Sequence, residues 1–153
     1  VRPTIVMGKG SKIGEALGKL ASLPVIPILG KGDVKVQPIH VRDAVEAIIE
    51  TFQSKMAVGK VVEIGGPDIL DWNEWFKRSR ALRSGKKARL IHLPTSAIMP
   101  VLRALEPVIG GRLPVTSGQL YSFLCDGTAS RNHDLGRARY DMVGFDAMIK
   151  QTG

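Results

Sequence analysis

The chain has 153 residues, enough for one domain with its own core. An apolar content of 44% and a charged content of 24% are ordinary for a globular protein, and aromatic residues at 5% predict a core packed mainly with aliphatic side chains. The formal charge of +8 favours anionic partners such as nucleic acid, phosphorylated ligands or anionic lipid, but does not choose among them.

The single cysteine, Cys125, excludes an internal disulfide and indicates a reducing compartment, so we predict a cytoplasmic location. Because it follows Phe123 and Leu124, we expect a buried structural thiol. No apolar run approaches the length of a transmembrane helix, and no signal-peptide pattern opens the chain. An apolar segment begins at once without an initiating Met, which indicates a fragment or a gene for part of a familiar fold.

The first third of the chain alternates extended and helical patterns. Val1–Met7 is apolar and β-branched, as a strand buried in a parallel sheet would be. Gly8 and Gly10 end this strand, and Ile13–Leu23 is predicted to be a helix. Val25–Leu29, which follows Pro24 and contains Pro27, is a short extended piece that ends at a Gly-Lys-Gly-Asp turn.

The clearest helix of the chain follows the short extended segment Val34–Ile39. Asp43 lies in its first turn, where a carboxylate favours the helix dipole. After this helix, Lys60–Ile64 is predicted to be a strand. The apolar stripe of the helix, at i, i+3, i+4, i+7, i+8 and i+11, comprises Val41, Ala44, Val45, Ile48, Ile49 and Phe52.

A second amphipathic helix opens with a capping-box pattern at Asp71 and Glu74 and ends at Gly85. A strand is predicted at Ala88–Leu93. After this strand, the sequence predicts a helix that begins after Pro94 and a capping box at Thr116 and Gln119. A last apolar cluster includes Met142, Phe145 and Ile149. The apolar face of the second helix comprises Trp72, Trp75, Phe76, Ser79 and Leu82. The alternation of strands and helices predicts an α/β protein.

The first glycine cluster has the spacing G-x-G-x-x-x-G, at Gly8, Gly10 and Gly14. Its third glycine comes one position later than in the dinucleotide fingerprint, and the Walker A spacing is absent. Lys9 and Lys12 leave an anion-binding nest open as an alternative. The pattern favours a structural strand-to-helix turn with positive φ angles.

No pattern singles out a catalytic residue or a metal site. His40, His92 and His133 share no close spacing, and the one cysteine supplies no thiolate pair. We expect His40 to cap or pack against a helix and His92 to be structural as well. The sequence contains no G-x-S-x-G nucleophile elbow and no suggestive pair of carboxylates.

Seven positive charges occur within 13 residues and could hold a phosphate backbone. Because their helical part lies opposite the tryptophan face, a solvated face is the commoner explanation. Docking of an acidic protein partner through this basic helix and non-specific nucleic-acid binding stay open as alternative functions. The cluster comprises Lys77, Arg78, Arg80, Arg83, Lys86, Lys87 and Arg89.

Several motifs together resemble one family. Arg2–Gly10 (RPTIVMGKG) is similar to the R-P-x-x-V-Y-G-P-G segment of extended and atypical short-chain dehydrogenases/reductases (SDRs). His40–Ile48 (HVRDAVEAI) resembles the family's H-V-x-D-x-A-x-A-I, and Gly59–Pro67 (GKVVEIGGP) resembles its next strand and loop. The resemblance runs to about Leu124. It is strongest to atypical members such as the NAD(P)-binding accessory subunit of respiratory complex I.

The resemblance implies the C-terminal, substrate-side half of the SDR fold: one α/β domain over residues 1–153, with a partial Rossmann-like parallel sheet and packed helices. The family's N-terminal dinucleotide-binding half, with its glycine-rich loop and Y-x-x-x-K pair, is absent. Neither Tyr121 nor Tyr140 has a lysine four residues later. The chain is then a truncated, epimerase-like SDR protein that is no independent catalyst. It binds no cofactor alone, and NAD(P) is implied by the family only.

The resemblance also implies site residues. Met7 and Lys9 stand where the family usually has Tyr and Pro, and Val36 lies near an arginine position of nucleotide-sugar enzymes, which weakens a nucleotide-sugar epimerase interpretation. The implied cofactor-binding residues are Pro3, Thr4, Met7 and Gly8, and the implied substrate-binding residues are Gln37 and His40.

The first strand would pair, on one side, with a strand of the absent half. Alone, this apolar strand would present unpaired N–H and C=O groups along its edge. We therefore predict that the edge is covered, either by self-association into a homo-oligomer through the strand edge or by a partner chain.

Overall fold

The computed structural model describes residues 1–96, 100, 123–129 and 141–151. In this part of the chain, helices alternate with short and mainly parallel strands, which confirms the predicted α/β class. The second predicted capping box, most of the helix predicted after Pro94, and His133, Tyr121 and Tyr140 lie outside the described residues.

The described strands pair two by two. Three pairs are parallel and one is antiparallel. The parallel pairs are β1 (Arg2–Pro3) with β6 (Glu63–Ile64), β2 (Val6–Met7) with β5 (Ile39–His40), and β3 (Ile26–Leu29) with β8 (Leu90–Leu93). The antiparallel pair is β4 (Lys35–Val36) with β7 (Leu70–Asp71).

The first predicted strand is broken in two, because its halves have different neighbours. The N–H of Arg2 donates to the Val62 carbonyl at 2.8 Å, next to β6, whereas the Ile5 carbonyl accepts the N–H of Ile39 at 2.9 Å, at β5. The prediction of one continuous buried strand is therefore wrong. Met7 is the buried residue of β1 and β2, and Val1 is 53% exposed.

The helix ends follow local chemistry. Ser11 precedes α1 (Lys12–Ala21), and its hydroxyl accepts the N–H of Gly14. Asp71 caps α3 (Trp72–Ser84) by accepting the N–H of Glu74 at 2.8 Å, and Gly85 ends that helix at φ 65°. The predicted cap and stop of α3 are confirmed. The other described helices are α2 (Val41–Gln53), a 3₁₀ turn (Lys55–Ala57) and α4 (Phe145–Gln151).

The main core lies between α1, β3, α3 and α4. Trp75 is its largest buried side chain and meets Phe145 edge-on, with ring centroids 4.8 Å apart. Trp72 and Phe76 are buried beside them, so the predicted core side of α3 is confirmed. The last apolar cluster of the sequence forms α4, whose Phe145, Met148 and Ile149 complete the core.

The apolar stripe that the sequence places on α2 does not face the core as a whole, although such a stripe normally does. Of the six residues in its apolar stripe only Ala44 is buried, and Phe52 is 93% exposed. The inward face instead carries Ala44, Ala47, Thr51 and Asp43, packed against a small cluster around Ile39, Val62 and Ile64. Small inward residues let the helix axis approach the strands closely, so its larger apolar side chains point outward.

Candidate functional site

An open cleft of about 330 Å³ lies where β1, β6 and the start of α3 meet the segment 123–129. Its apolar part includes Trp72 and Phe123, whose ring centroids are 4.8 Å apart. The indole N–H of Trp72 also donates to the Phe123 carbonyl at 3.1 Å, which fixes this aromatic wall. Arg2 and Glu63, paired in register on β1 and β6, supply charge to the lining.

Two of the predicted cofactor-binding residues, Pro3 and Thr4, line this cleft. The Thr4 hydroxyl donates to the backbone carbonyl of Gln37. The side chain of Gln37 is engaged at both ends: Nε2 donates to the Gly66 carbonyl at 2.6 Å, and Oε1 accepts the N–H of Ala129 at 3.0 Å. Gln37 therefore ties three segments together beside the cleft.

The other predicted site residues do not line the cleft. Met7 is 1% exposed and belongs to the main core. Gly8 is buried, and a Cβ placed on it would lie 2.6 Å from Cγ1 of Val41, so the close approach to α2 requires a glycine there. His40 is the N-cap of α2, and its Nδ1 accepts the N–H of Arg42 at 3.3 Å. The capping role predicted for His40 is confirmed.

The glycine cluster after β2 is a strand-to-helix turn. Gly10 adopts φ +81°, as predicted for such a turn. The Ser11 hydroxyl accepts the Gly14 N–H and donates to the Val6 carbonyl at 3.2 Å. One N–H of the anion nest that the sequence left open is thus already used by the helix cap.

The sequence patterns do not predict one wall of the cleft, because the residues from Asp126 onward are polar and basic and belong to none of the predicted helices or strands. The N–H of Gly127 donates to the Lys35 carbonyl at 2.8 Å, and the N–H of Lys35 donates to Oδ1 of Asp126 at 2.9 Å. The Asp-Gly pair after two apolar residues is the signal that could have indicated a turn here. Cys125, in the same segment, is exposed, so the prediction of a buried thiol is wrong.

Three arginines of the basic cluster make contacts with other elements of the protein. Nη2 of Arg78 lies 2.7 Å from Oδ1 of Asp146, and Nη1 of Arg80 donates to the Ala21 carbonyl at 3.2 Å. Burial acts to lower the pKa of Arg78, but the hydrogen bond and charge of Asp146 outweigh it and raise that pKa. Arg83 packs its guanidinium against α1. The exposed basic residues of the cluster are Lys77, Lys86, Lys87 and Arg89.

The two described histidines have structural partners, since His40 caps α2 and Nε2 of His92 lies 2.8 Å from Oδ1 of Asn73. Within the described ranges, no three His, Cys, Asp or Glu side chains are grouped closely enough to hold a metal ion. Nor does that part of the chain contain a helix long and apolar enough to cross a membrane.

No family profile matches the chain. A stretch of 76 residues is 30% identical to NADH dehydrogenase (ubiquinone) 1 alpha subcomplex subunit 9, mitochondrial, of Dictyostelium discoideum, and covers 49% of this chain and 21% of that protein. A stretch of 50 residues is 36% identical to the protein of the same name from Arabidopsis thaliana, over 32% of this chain and 12% of that protein. The matches thus span about a fifth of these relatives' length or less.

Solved structures match almost the whole chain. Human epimerase family protein SDR39U1 with NADPH superposes at a TM-score of 0.65, with 19% identity, over 97% of this chain and 45% of that one. The UDP-glucuronic acid 4-epimerase of Bacillus cereus, with NAD, superposes at a TM-score of 0.60 with 17% identity, over 98% of this chain and 42% of that one. The NAD-dependent NDP-hexosamine 5,6-dehydratase TunA superposes at a TM-score of 0.60 with 15% identity, over 99% of this chain and 43% of that one. The predicted Rossmann-like fold class and the resemblance to atypical SDRs are confirmed.

Proposed function

We propose that this chain forms the substrate-side lobe of an atypical SDR-like protein and has no catalytic activity by itself. The observation that carries the proposal is the cleft beside Pro3 and Thr4, on a fold that matches less than half of each similar epimerase or dehydratase. The cleft offers shape and aromatic surface. The polar groups of Thr4 and Gln37 are engaged within the protein.

The cleft fits one end of a ligand better than a whole dinucleotide. Its volume of about 330 Å³ lies at the lower end of small-molecule sites, which run from about 300 to 1,000 Å³. NAD(P), named with several similar structures, supplies hydride transfer when bound to a complete fold. In this proposal the residues of the chain only form a wall: Gln37 holds the turn at Pro3 and Thr4 in place.

Titration of the isolated chain with NADH and NADPH tests the proposal. Trp72 lines both the cleft and a neighbouring apolar cavity, so a change in tryptophan fluorescence reports binding, and the variant Thr4→Val tests whether the ligand lies in the cleft. We expect no micromolar binding of either nucleotide. Micromolar binding that Thr4→Val weakens, with the fold unchanged by circular dichroism, would show a complete cofactor site in this chain and overturn the proposal.

We propose further that the protein works in an assembly, since both curated relatives are named as subunits of NADH dehydrogenase. Those names include the word mitochondrial, whereas the single cysteine predicts a reducing compartment and the cytoplasm; the location stays a prediction. Chemical cross-linking in the source organism followed by mass spectrometry tests the assembly. Recovery of this chain without any cross-linked partner or second copy would contradict it.

A further inference from the structure

The outer face of α2 is apolar and uncovered by any element in the described part of the chain. Its exposed fractions are 43% for Val41, 49% for Val45, 41% for Ile48, 50% for Ile49 and 93% for Phe52. Their spacing of i, i+4, i+7, i+8 and i+11 puts them in one stripe. The stripe exposes on the order of 500 Å² of side chain, as much as the largest apolar patches of typical monomers.

This stripe adjoins the buried face of the helix. At 100° per residue, the buried and the outer apolar positions together span roughly two thirds of the circumference of α2. The remaining arc carries the polar residues Arg42, Glu46, Glu50 and Gln53. A helix whose buried and apolar positions together cover so wide an arc is normally covered on more than the side that faces its own sheet.

The open edge of β1 is a poorer surface for self-association. The N–H groups of Arg2 and Thr4 both donate toward β6, at 2.8 Å and 2.9 Å. Backbone groups alternate in direction along a strand, so Pro3 faces the other edge. Proline has no N–H to donate there, which blunts an edge against pairing with a second strand.

We propose that the outer stripe of α2 is covered by a second copy of this chain, with the two α2 helices packed antiparallel about a two-fold axis near residue 47. Such an axis brings the same polar flank of both helices together. Arg42 pairs with Asp43 of its own chain at 3.2 Å and donates to the Asp141 carbonyl at 3.3 Å, but its side chain is still 54% exposed and lies beside Glu50 of the other copy. The two helix dipoles are antiparallel. The stripe supplies more than half of the roughly 800 Å² per partner in a standard interface.

Sedimentation analysis over a wide concentration range tests the proposal. We expect the unmodified chain to be a dimer, and Ile48→Glu and Phe52→Glu to be monomers with unchanged circular dichroism. Ile69→Glu is the matched control, because Ile69 is 56% exposed and lies outside the stripe; this variant should stay dimeric. An unmodified chain that is monomeric, or stripe variants that remain dimers, would overturn the proposal.

Cysteine cross-linking checks the interface without a destabilising charge. In a Cys125→Ser background, Ile48→Cys lies near the proposed axis and should form disulfide-linked dimers under oxidation. Two copies of Phe52→Cys would be separated by about 15 Å along the helix axis, at 1.5 Å per residue, and should not cross-link. Cross-linking at residue 52 but not at 48 would rule out the antiparallel arrangement. Nucleotide titration is a separate measurement, so this inference and the proposed function can fail independently.

Discussion

Gly66 stands where two loops beside the cleft pass closest to each other. A Cβ placed on Gly66 would lie 1.9 Å from the Pro38 carbonyl oxygen, and one on Gly65 would lie 2.5 Å from the Gln37 side chain. The two glycines therefore let the loop after β6 run against the backbone of residues 37–38. This close approach also allows Gln37 to hold the Gly66 carbonyl.

Gly66→Ala should lower the free energy of unfolding by about 2–3 kcal/mol, because the added methyl group forces two backbone segments apart. Gly127→Ala is the control, since its Cβ would have no neighbour closer than 3.9 Å. We expect it to change stability by less than about 1 kcal/mol. Urea unfolding of both variants measures the difference, and equal effects would contradict the close approach.

The charged N-cap of α3, Asp71, is expected to make the stability of the protein depend on pH. The hydrogen bond from the Glu74 amide lowers the pKa of Asp71 below its usual 3.8, against the opposing effect of burial and with help from Lys35. The folded protein thus holds this proton less tightly than the unfolded chain. The stabilisation is present above the unfolded pKa and is lost as the pH falls through the folded pKa.

Asp71→Asn keeps an acceptor for the cap but removes the charge. We expect a loss of less than about 1 kcal/mol in the free energy of unfolding at neutral pH, because the Lys35–Asp71 pair is partly exposed. The difference from the unmodified protein should shrink as the pH is lowered below 3.8. Thermal unfolding over an acid pH series measures it, and a difference independent of pH would contradict the assigned cause.

At the scale of elements, two carboxylates fasten the C-terminal segment. Oδ2 of Asp43, which is fully buried at the start of α2, accepts the N–H of Val143 at 2.8 Å. Oδ2 of Asp68 accepts the N–H of Phe145, at the start of α4, at 2.7 Å. The Asp of the H-V-x-D motif therefore acts here as a structural anchor.

Asp43→Ala should lower the free energy of unfolding by about 1–3 kcal/mol, because the Val143 N–H loses its acceptor. Hydrogen exchange in residues 143–149 should become faster. The control is Asp146→Ala, which removes a half-exposed partner of Arg78 and should cost less than about 1 kcal/mol. Unchanged exchange in Asp43→Ala would contradict the anchoring role.

The two longest described helices show how far periodicity predicts packing. For α3 the predicted face is confirmed, because its large apolar side chains occupy one narrow stripe. The helix itself is capped by Asp71 and Gly85. For α2 the same kind of pattern indicates the wrong face. Two apolar surfaces lie side by side there, and periodicity does not tell which one faces the strands. Packing chooses the small side chains of Ala44 and Ala47.

At the scale of the whole molecule, only part of the positive charge behind the net +8 is available on the surface. Arg78, Arg80 and Arg83 connect α3 to α4 and α1. The available positive surface is therefore smaller than the sequence cluster, and a charge-reversal test of partner binding must avoid these arginines.

A quadruple variant should elute much earlier from a heparin column and unfold like the unmodified protein. It changes Lys77, Lys86, Lys87 and Arg89 together to Glu. Arg80→Glu should instead lower the free energy of unfolding by about 1–3 kcal/mol, because its hydrogen bond to the Ala21 carbonyl is lost. Combined elution and urea unfolding measure both effects. A destabilised quadruple variant would contradict the division of the cluster into exposed and structural residues.

The sequence by itself determined the alternation of helices and strands, the caps of α3, the turn at Gly10 and the family resemblance. Each depends on spacing between neighbouring residues or on short motifs. The tertiary structure alone decided which strand pairs with which, the outward face of α2, the anchoring by Asp43 and the wall formed by residues 123–129. These features join residues far apart in the chain, such as Lys35 and Asp126, and such contacts depend on how close two backbones can pack.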